Sequence, residues 1–286
     1  MKILFITGAT FPDYLNDSVF HGLRSLYGEN IVDSNCLTYL YKEYTSEAAK
    51  VKLYGRGFTL YSTLESDNTD RSDLDHKIRS KYFDLIIYGS VWRCLDYFET
   101  VCKNYPLNKI ILLDGEDQRK LNPLYRKYPY FKRELRKRRK GLYPISFSIP
   151  ENKINITPVE KDRKFATVIP GDPSTYIFYN EADYYHDYSR SWFGITTKKG
   201  GWDCMRHYEI LGSYCMPYFK DIRKCPDLTL FNFPKDLCLK ANKLIEKDSF
   251  NSEYYYDLLN QAFQHLKEKL TTQKVAEYLV NTIMTL

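Results

Sequence analysis

No run of about 18 apolar residues occurs in this 286-residue sequence, so no membrane-spanning helix is expected. The opening residues, MKILFITGAT, carry one lysine and a short apolar run; they read as a first strand and not as a secretory leader. The seven cysteines (Cys36, Cys94, Cys102, Cys204, Cys215, Cys225 and Cys238) are odd in number and form no C-x-x-C pair. A disulfide framework and a zinc ribbon are therefore not expected, and reduced thiols in a cytoplasmic protein are. The five histidines are isolated, with no H-x-x-x-H, so no metal site of His/Cys type is expected. Neither a G-x-x-x-x-G-K-S/T phosphate loop nor a G-x-S-x-G nucleophile elbow is present.

What is present is a globular composition, 43% hydrophobic, enough for one large domain or two smaller ones. The net charge is +6. The run KRELRKRRK, Lys132 to Lys140, holds seven basic residues and one acid, so the rest of the chain is formally neutral. That concentration is not the broad basic face of a specific nucleic-acid binder. It suits a solvated face or peripheral contact with an anionic membrane. The 27 tyrosines suit sugar stacking, though compositional bias accounts for them as well.

Continuous aliphatic strands at Lys2–Thr7, Phe83–Tyr88 and Lys109–Leu113 alternate with helical spacing at Ser18–Tyr27, Ser72–Ser80 and Leu95–Asn104. Asp17 or Ser18 is the expected cap of the first helix. Such strands are buried on both faces, the mark of a parallel sheet between helices. The expected fold is α/β, with a Rossmann-like first domain over residues 1–150. The polar stretch Glu151–Arg163 reads as a connection. A second α/β unit over 151–270 is expected to contain a strand at Lys164–Ile169 and a helix near Ser174–Tyr179. Helices at Lys235–Glu246, Glu253–Leu270 and Thr272–Thr285 close the chain.

Three stretches carry candidate chemistry. Lys198, Lys199, Gly200 and Gly201 precede a helix bearing Asp203, Arg206 and Glu209, and the strand Cys215–Phe219 follows. A helix start with cations beside it suits a nucleotide diphosphate, and a carboxylate two turns on suits ribose hydroxyls. A plain amphipathic helix capped by its own ion pair fits the same residues. Asp114-Gly115-Glu116-Asp117 follows a central strand, where ligands of open α/β sheets bind. These acids suit a general base or a divalent ion, or form a simple acidic turn. The loop GATFPDY at Gly8–Tyr14 offers Asp13.

ITGAT is similar to the start of short-chain dehydrogenases. No further glycines complete that fingerprint, and Pro129 interrupts the Y-x-x-x-K at Tyr128 to Lys132. A fuller match is to the C-terminal signature of GT-B glycosyltransferases of the exostosin-like and CgeB-like kind, D-x-x-R-x-x-E-x-L before a G-C-x-P strand. The chain reads Asp203, Arg206, Glu209 and Leu211, then Ser213-Tyr214-Cys215-Met216-Pro217. Tyr214 stands where the family has glycine. LLDGED (Leu112–Asp117), YFKREL (Tyr130–Leu135) and PISFSIP (Pro144–Pro150) also resemble this group.

The resemblance implies two facing Rossmann-like domains, with a final helix, residues 271–286, crossing back to the first. It implies a nucleotide-sugar donor, UDP most simply, and a glycan or other acceptor, with no required cofactor or metal. Arg206 would contact the diphosphate and Glu209 the ribose, with Lys198 and Lys199 as auxiliary cations. Glu116 and Asp117, then Asp13, are the expected bases of an inverting reaction. A nucleotide-sugar-modifying oxidoreductase and a non-catalytic glycan- or polyanion-binding module are the alternatives.

Overall fold

The structure is a computed structural model, and it describes residues 1–8, 12–43, 50, 52–65, 68–154, 159–246 and 250–286. Parts of two expected segments, the loop after the first strand (residues 9–11) and the connection (155–158), lie outside the described residues.

The fold is α/β, with two parallel sheets and their helices. The larger has six strands in the order β2-β1-β3-β4-β5-β6: β1 Ile3–Ile6, β2 Ile31–Asp33, β3 Leu85–Tyr88, β4 Ile110–Asp114, β5 Tyr130–Lys132 and β6 Leu142–Pro144. The smaller orders β7 Arg163–Phe165, β8 Ser191–Ile195 and β9 Met216–Tyr218 side by side. Both faces of the large sheet are covered, and alternate residues of one strand serve different cores. Ile3 and Phe5 join one apolar cluster, whereas Leu4 and Ile6 join another. The first cluster continues from β1 through Phe193 and Met216 of the small sheet to the C-terminal helices.

Strand order reverses direction between β1 and β3. The loops leaving the carboxyl ends of β1, β3 and β4 therefore open on one side, at the switch point where such sheets hold ligands.

Helix α1 spans Tyr14–Tyr27 and begins a turn earlier than its spacing suggests, because Asp13 is its cap. The Asp13 carboxylate accepts from the amides of Leu15 and Asn16 at 3.1 and 3.2 Å. Asp17 is turned inward instead, accepting from the Asp13 amide and the Tyr39 hydroxyl, both at 3.0 Å. Helices α2 (Leu74–Arg79) and α3 (Phe98–Asn104) are shorter than expected. The helix expected near Ser174–Tyr179 is a single 3-10 turn, Pro173–Thr175. The carbonyls of Tyr176 and Phe178 are held by the Arg56 guanidinium at 3.3 and 3.0 Å, so they are not available to a helix. Helix α4, Glu181–Ser189, starts only after Asn180, whose side chain caps it.

Helix α5 (Met205–Gly212) links β8 to β9, and α6 (Lys235–Glu246), α7 (Ser252–Lys269) and α8 (Thr272–Met284) follow. Helix α8 packs against α1. Thr272 Oγ1 lies 2.9 Å from His21 Nδ1, and a methyl at Gly22 would overlap the Thr272 carbonyl. Among the described residues no helix is long and apolar enough to cross a membrane.

Candidate functional site

Two adjoining cavities lie between the loops of the large sheet and the β8–α5 segment. They share Tyr14, Tyr54, Lys199, Cys204 and Met205. One, of about 250 Å³, contains Asp13, Glu116, Asp117, Gly200, Gly201 and Asp203. The other, of about 530 Å³, contains Arg206 and Glu209 among aromatic walls that include Tyr176, Phe178 and Tyr184. Lys199 lines both. Lys198 lines neither; its ammonium turns back to the carbonyls of Lys199 and Gly200, at 3.2 and 3.4 Å.

In the smaller cavity the acids are largely engaged. Glu116 accepts from Arg93 Nε at 3.1 Å, and Arg93 also lies 3.5 Å from Asp13. Asp117 pairs with Arg133. Arg133 is buried, and its remaining nitrogens donate to the Gly115 and Asp203 carbonyls and to Glu134, at 3.0, 2.6 and 3.2 Å. Burial raises the pKa of Asp13, against the opposing pull of Arg93.

The Gly-Gly turn is pressed onto this acid cluster. A methyl at Gly201 would sit 2.6 Å from Glu134 Oε1 and 2.7 Å from Asp117 Oδ1, and one at Gly200 would overlap Asp117. Glycine is needed here so that backbone and carboxylate can touch. Two amides expected to face an anion are occupied: Trp202 N and Asp203 N donate to Glu134 Oε1 at 2.8 and 3.1 Å. Asp203 precedes α5, which begins at Met205. Its oxygens accept from Phe147 N and the Tyr208 hydroxyl, both at 2.8 Å, and burial raises its pKa to about 6.

In the larger cavity Arg206, half-buried, belongs to a different arrangement. Its guanidinium meets the Tyr176 hydroxyl at 3.5 Å and lies over that ring at 5.5 Å. Among the described residues it forms no ion pair, and its Nε is buried without a hydrogen-bond partner. Glu209 does not pair with it. The two Glu209 oxygens accept from Thr59 Oγ1 at 2.6 Å and the Tyr184 hydroxyl at 2.7 Å, and burial raises its pKa. Thr59 is β-branched yet held at φ 71°, in the left-handed region. Its amide donates to Glu181 at 2.6 Å, and its hydroxyl lies 2.8 Å from that of Tyr185. These bonds overdetermine a strained backbone.

Sequence reasoning missed Thr59, Arg93, Arg133, Tyr176 and Tyr184. Nothing in the spacing points to Thr59, which meets Glu209 across 150 positions. Arg133 was concealed within the basic run. The extent of that run needs correction: Lys132 and Arg133 are buried, with Lys132 bound to Asp114 at 2.7 Å. Both have carboxylate partners behind the surface, and only Arg136–Lys140 are exposed. Tyr214, which precedes Cys215, has φ 55°, the conformation glycine adopts freely.

Among the described residues no group of three or more His, Cys, Asp or Glu side chains is placed to hold a metal ion. In comparisons with known proteins, no family model matches this chain and no curated protein matches it.

Proposed function

We propose that this protein is a glycosyltransferase that moves a sugar from a nucleoside diphosphate donor, UDP most simply, to a hydroxyl of a glycan or other acceptor. The observation that carries the reading is Arg206, a half-buried cation that meets no carboxylate among the described residues, in an aromatic-walled cavity of about 530 Å³. Leaving a guanidinium nitrogen buried and unpaired is costly unless a ligand completes it. A diphosphate supplies the matching charge and oxygens, and flat walls such as Tyr176 and Phe178 suit the base or sugar. The left-handed Tyr214 supports the resemblance of this segment to the GT-B signature.

In this reading the small-sheet unit and the large-sheet unit are facing domains, donor side and acceptor side, of a protein acting in the cytoplasm. Arg206 and Lys199 offset charge on the departing diphosphate. Glu209 receives the ribose, its hydroxyls replacing the bonds from Thr59 and Tyr184. Among the three acids, Asp13 is the preferred base for an inverting transfer. Burial raises its pKa, and a more basic carboxylate is the better proton acceptor. Arg93 stands 3.5 Å from it, whereas Glu116 and Asp117 are held more closely, by Arg93 at 3.1 Å and by Arg133.

Thermal shifts with UDP, GDP, CDP, ADP and their sugars test the donor site. Ligand at a hundred times its dissociation constant adds about 2.7 kcal/mol. Arg206→Glu is expected to remove the UDP shift and UDP-sugar turnover while leaving the fold intact; near-normal turnover sinks the reading. Asp13→Asn keeps a capping side chain and is expected to abolish turnover, whereas Glu116→Gln and Asp117→Asn retain part of it.

A further inference from the structure

We propose that the face built by the Trp92–Tyr97 loop, the Arg119–Arg126 segment and the Arg136–Lys140 run docks this protein on an anionic membrane surface. The inference does not rest on the transferase reading.

The basic part is a groove of about 480 Å³ on the large-sheet unit. Its wall includes Arg119, Arg136, Lys137 and Arg139, and its only acid is Glu134. That acid is already committed to Arg133 and to the amides of Trp202 and Asp203. Among the described residues the four cations make no ion pair. Tyr125, in the same groove, has its pKa lowered, first by a hydrogen bond with the adjoining Arg126 and then by the charges of Arg126 and Arg139. The groove is thus an anion-attracting surface that the protein does not neutralise itself.

The neighbouring loop gives the reason for choosing a membrane over a soluble polyanion. Trp92, Leu95 and Tyr97 are 38%, 39% and 38% exposed. The loop is tied to the basic segment by Asn122 Nδ2, which donates to the Val91 carbonyl at 3.4 Å. Lys120 lies 5.6 Å from the Trp92 ring centroid, and Trp92 Nε1 donates inward to Asp114 at 3.1 Å. A cation thus approaches the Trp92 ring, and the indole N–H is already spent inside the protein. Exposed aromatic and aliphatic side chains beside unpaired lysines and arginines form the pairing that an interface with anionic headgroups rewards. Charge draws the protein in, and apolar side chains enter the headgroup layer. Arg93, next to Trp92, points the other way, to Glu116 and Asp13. The docking face is therefore one residue removed from the smaller cavity.

The test is sedimentation of the full chain with vesicles of phosphatidylcholine alone or with about 30 mol % phosphatidylglycerol, at low and high salt. Binding is expected only to the anionic vesicles, and salt is expected to weaken it. Neutralising Arg136, Lys137, Arg138 and Arg139 together to Gln is expected to lower partitioning by several hundredfold, at about fivefold per charge. Leu95→Asp is expected to lower it by about tenfold. Unchanged thermal midpoints identify both variants as folded. Absence of vesicle binding, or equal binding to neutral vesicles, overturns the proposal. Undiminished binding by the fourfold variant overturns it too. If Leu95→Asp binds anionic vesicles as well as the unaltered protein, the face serves a soluble polyanion and the membrane proposal falls.

Discussion

Of the arginines on the walls of the paired cavities, Arg133 and Arg206 have opposite surroundings. Around Arg133 every direction is answered: Asp117, Glu134 and the carbonyls of Gly115 and Asp203 take its donors, and the Phe147 ring lies 4.5 Å from it. Around Arg206 no carboxylate answers among the described residues, and the wall is aromatic. Glu209, one turn along, gives its oxygens to Thr59 and Tyr184 instead. A buried charge whose partners are all internal holds the fold together. A charge left incomplete beside a cavity costs stability until something enters. The first wall joins β4, β5 and the β8–α5 turn, and the second is the one proposed to receive a ligand.

Breaking this contrast starts with Arg133→Met. Removing one member of a buried charge network leaves Asp117 and Glu134 uncompensated, and a loss of about 3–5 kcal/mol in denaturant unfolding is expected. Arg206→Met is expected to change unfolding by no more than about 1 kcal/mol while removing the UDP-induced thermal shift. Equal losses for the two would dissolve the distinction. Gly201→Ala tests the same wall through shape: its methyl meets Glu134, Asp117 and Arg133 within 2.6 to 2.8 Å, and about 1–3 kcal/mol of destabilisation is expected. On the other wall, Thr59→Val leaves Glu209 Oε1 without its donor, with an expected loss of about 1–3 kcal/mol in the same assay.

The smallest effect concerns an acid that, unlike Asp117, pairs with no cation among the described residues. Burial, aided by Asp13, raises the Asp17 pKa from its ordinary 3.8 to about 8. The folded protein then keeps a proton that the unfolded chain releases. This contribution is complete below about pH 4 and is withdrawn as pH rises through about 8. His21 and His207 act in the opposite sense. Burial lowers both from 6.5 to about 4, so their contribution is present above pH 6.5 and lost as pH falls through about 4. Between about pH 6.5 and 8 the histidines no longer oppose Asp17. Unfolding free energy should decline there by at most about 1.4 kcal/mol per pH unit. Asp17→Asn should flatten the slope; an unchanged slope assigns it to other groups.

What was legible in the sequence follows the range of the forces involved. β1, β3 and β4 were readable because both their faces are buried, which leaves continuous aliphatic runs. Helix α6 has the bounds that its one-sided spacing indicates. The segment Ser174–Tyr179 misled because its carbonyls answer to Arg56, about 120 positions earlier. Local propensity cannot register such a partner. Arg133 and Lys132 were read as surface charge because composition counts cations without their partners. The cavities do bring Asp13, Glu116, Asp117, Lys199, Arg206 and Glu209 onto adjoining walls. What could not be read was which of them are already engaged.

The contact between α1 and α8 bears on how this chain folds. His21 and Thr272 are 251 positions apart, and the close approach at Gly22 leaves no room for a substitute side chain. Residues Val275, Ala276, Leu279 and Ile283 of α8 belong to the same buried cluster as Val19, Phe20 and Leu23 of α1. During synthesis the first helix is therefore made long before the surface that covers it. Until α8 emerges, α1 and the sheet beneath it keep an apolar face open to water or to a chaperone. The first layer laid down is among the last to be sealed, and contacts of such long range make for slow folding.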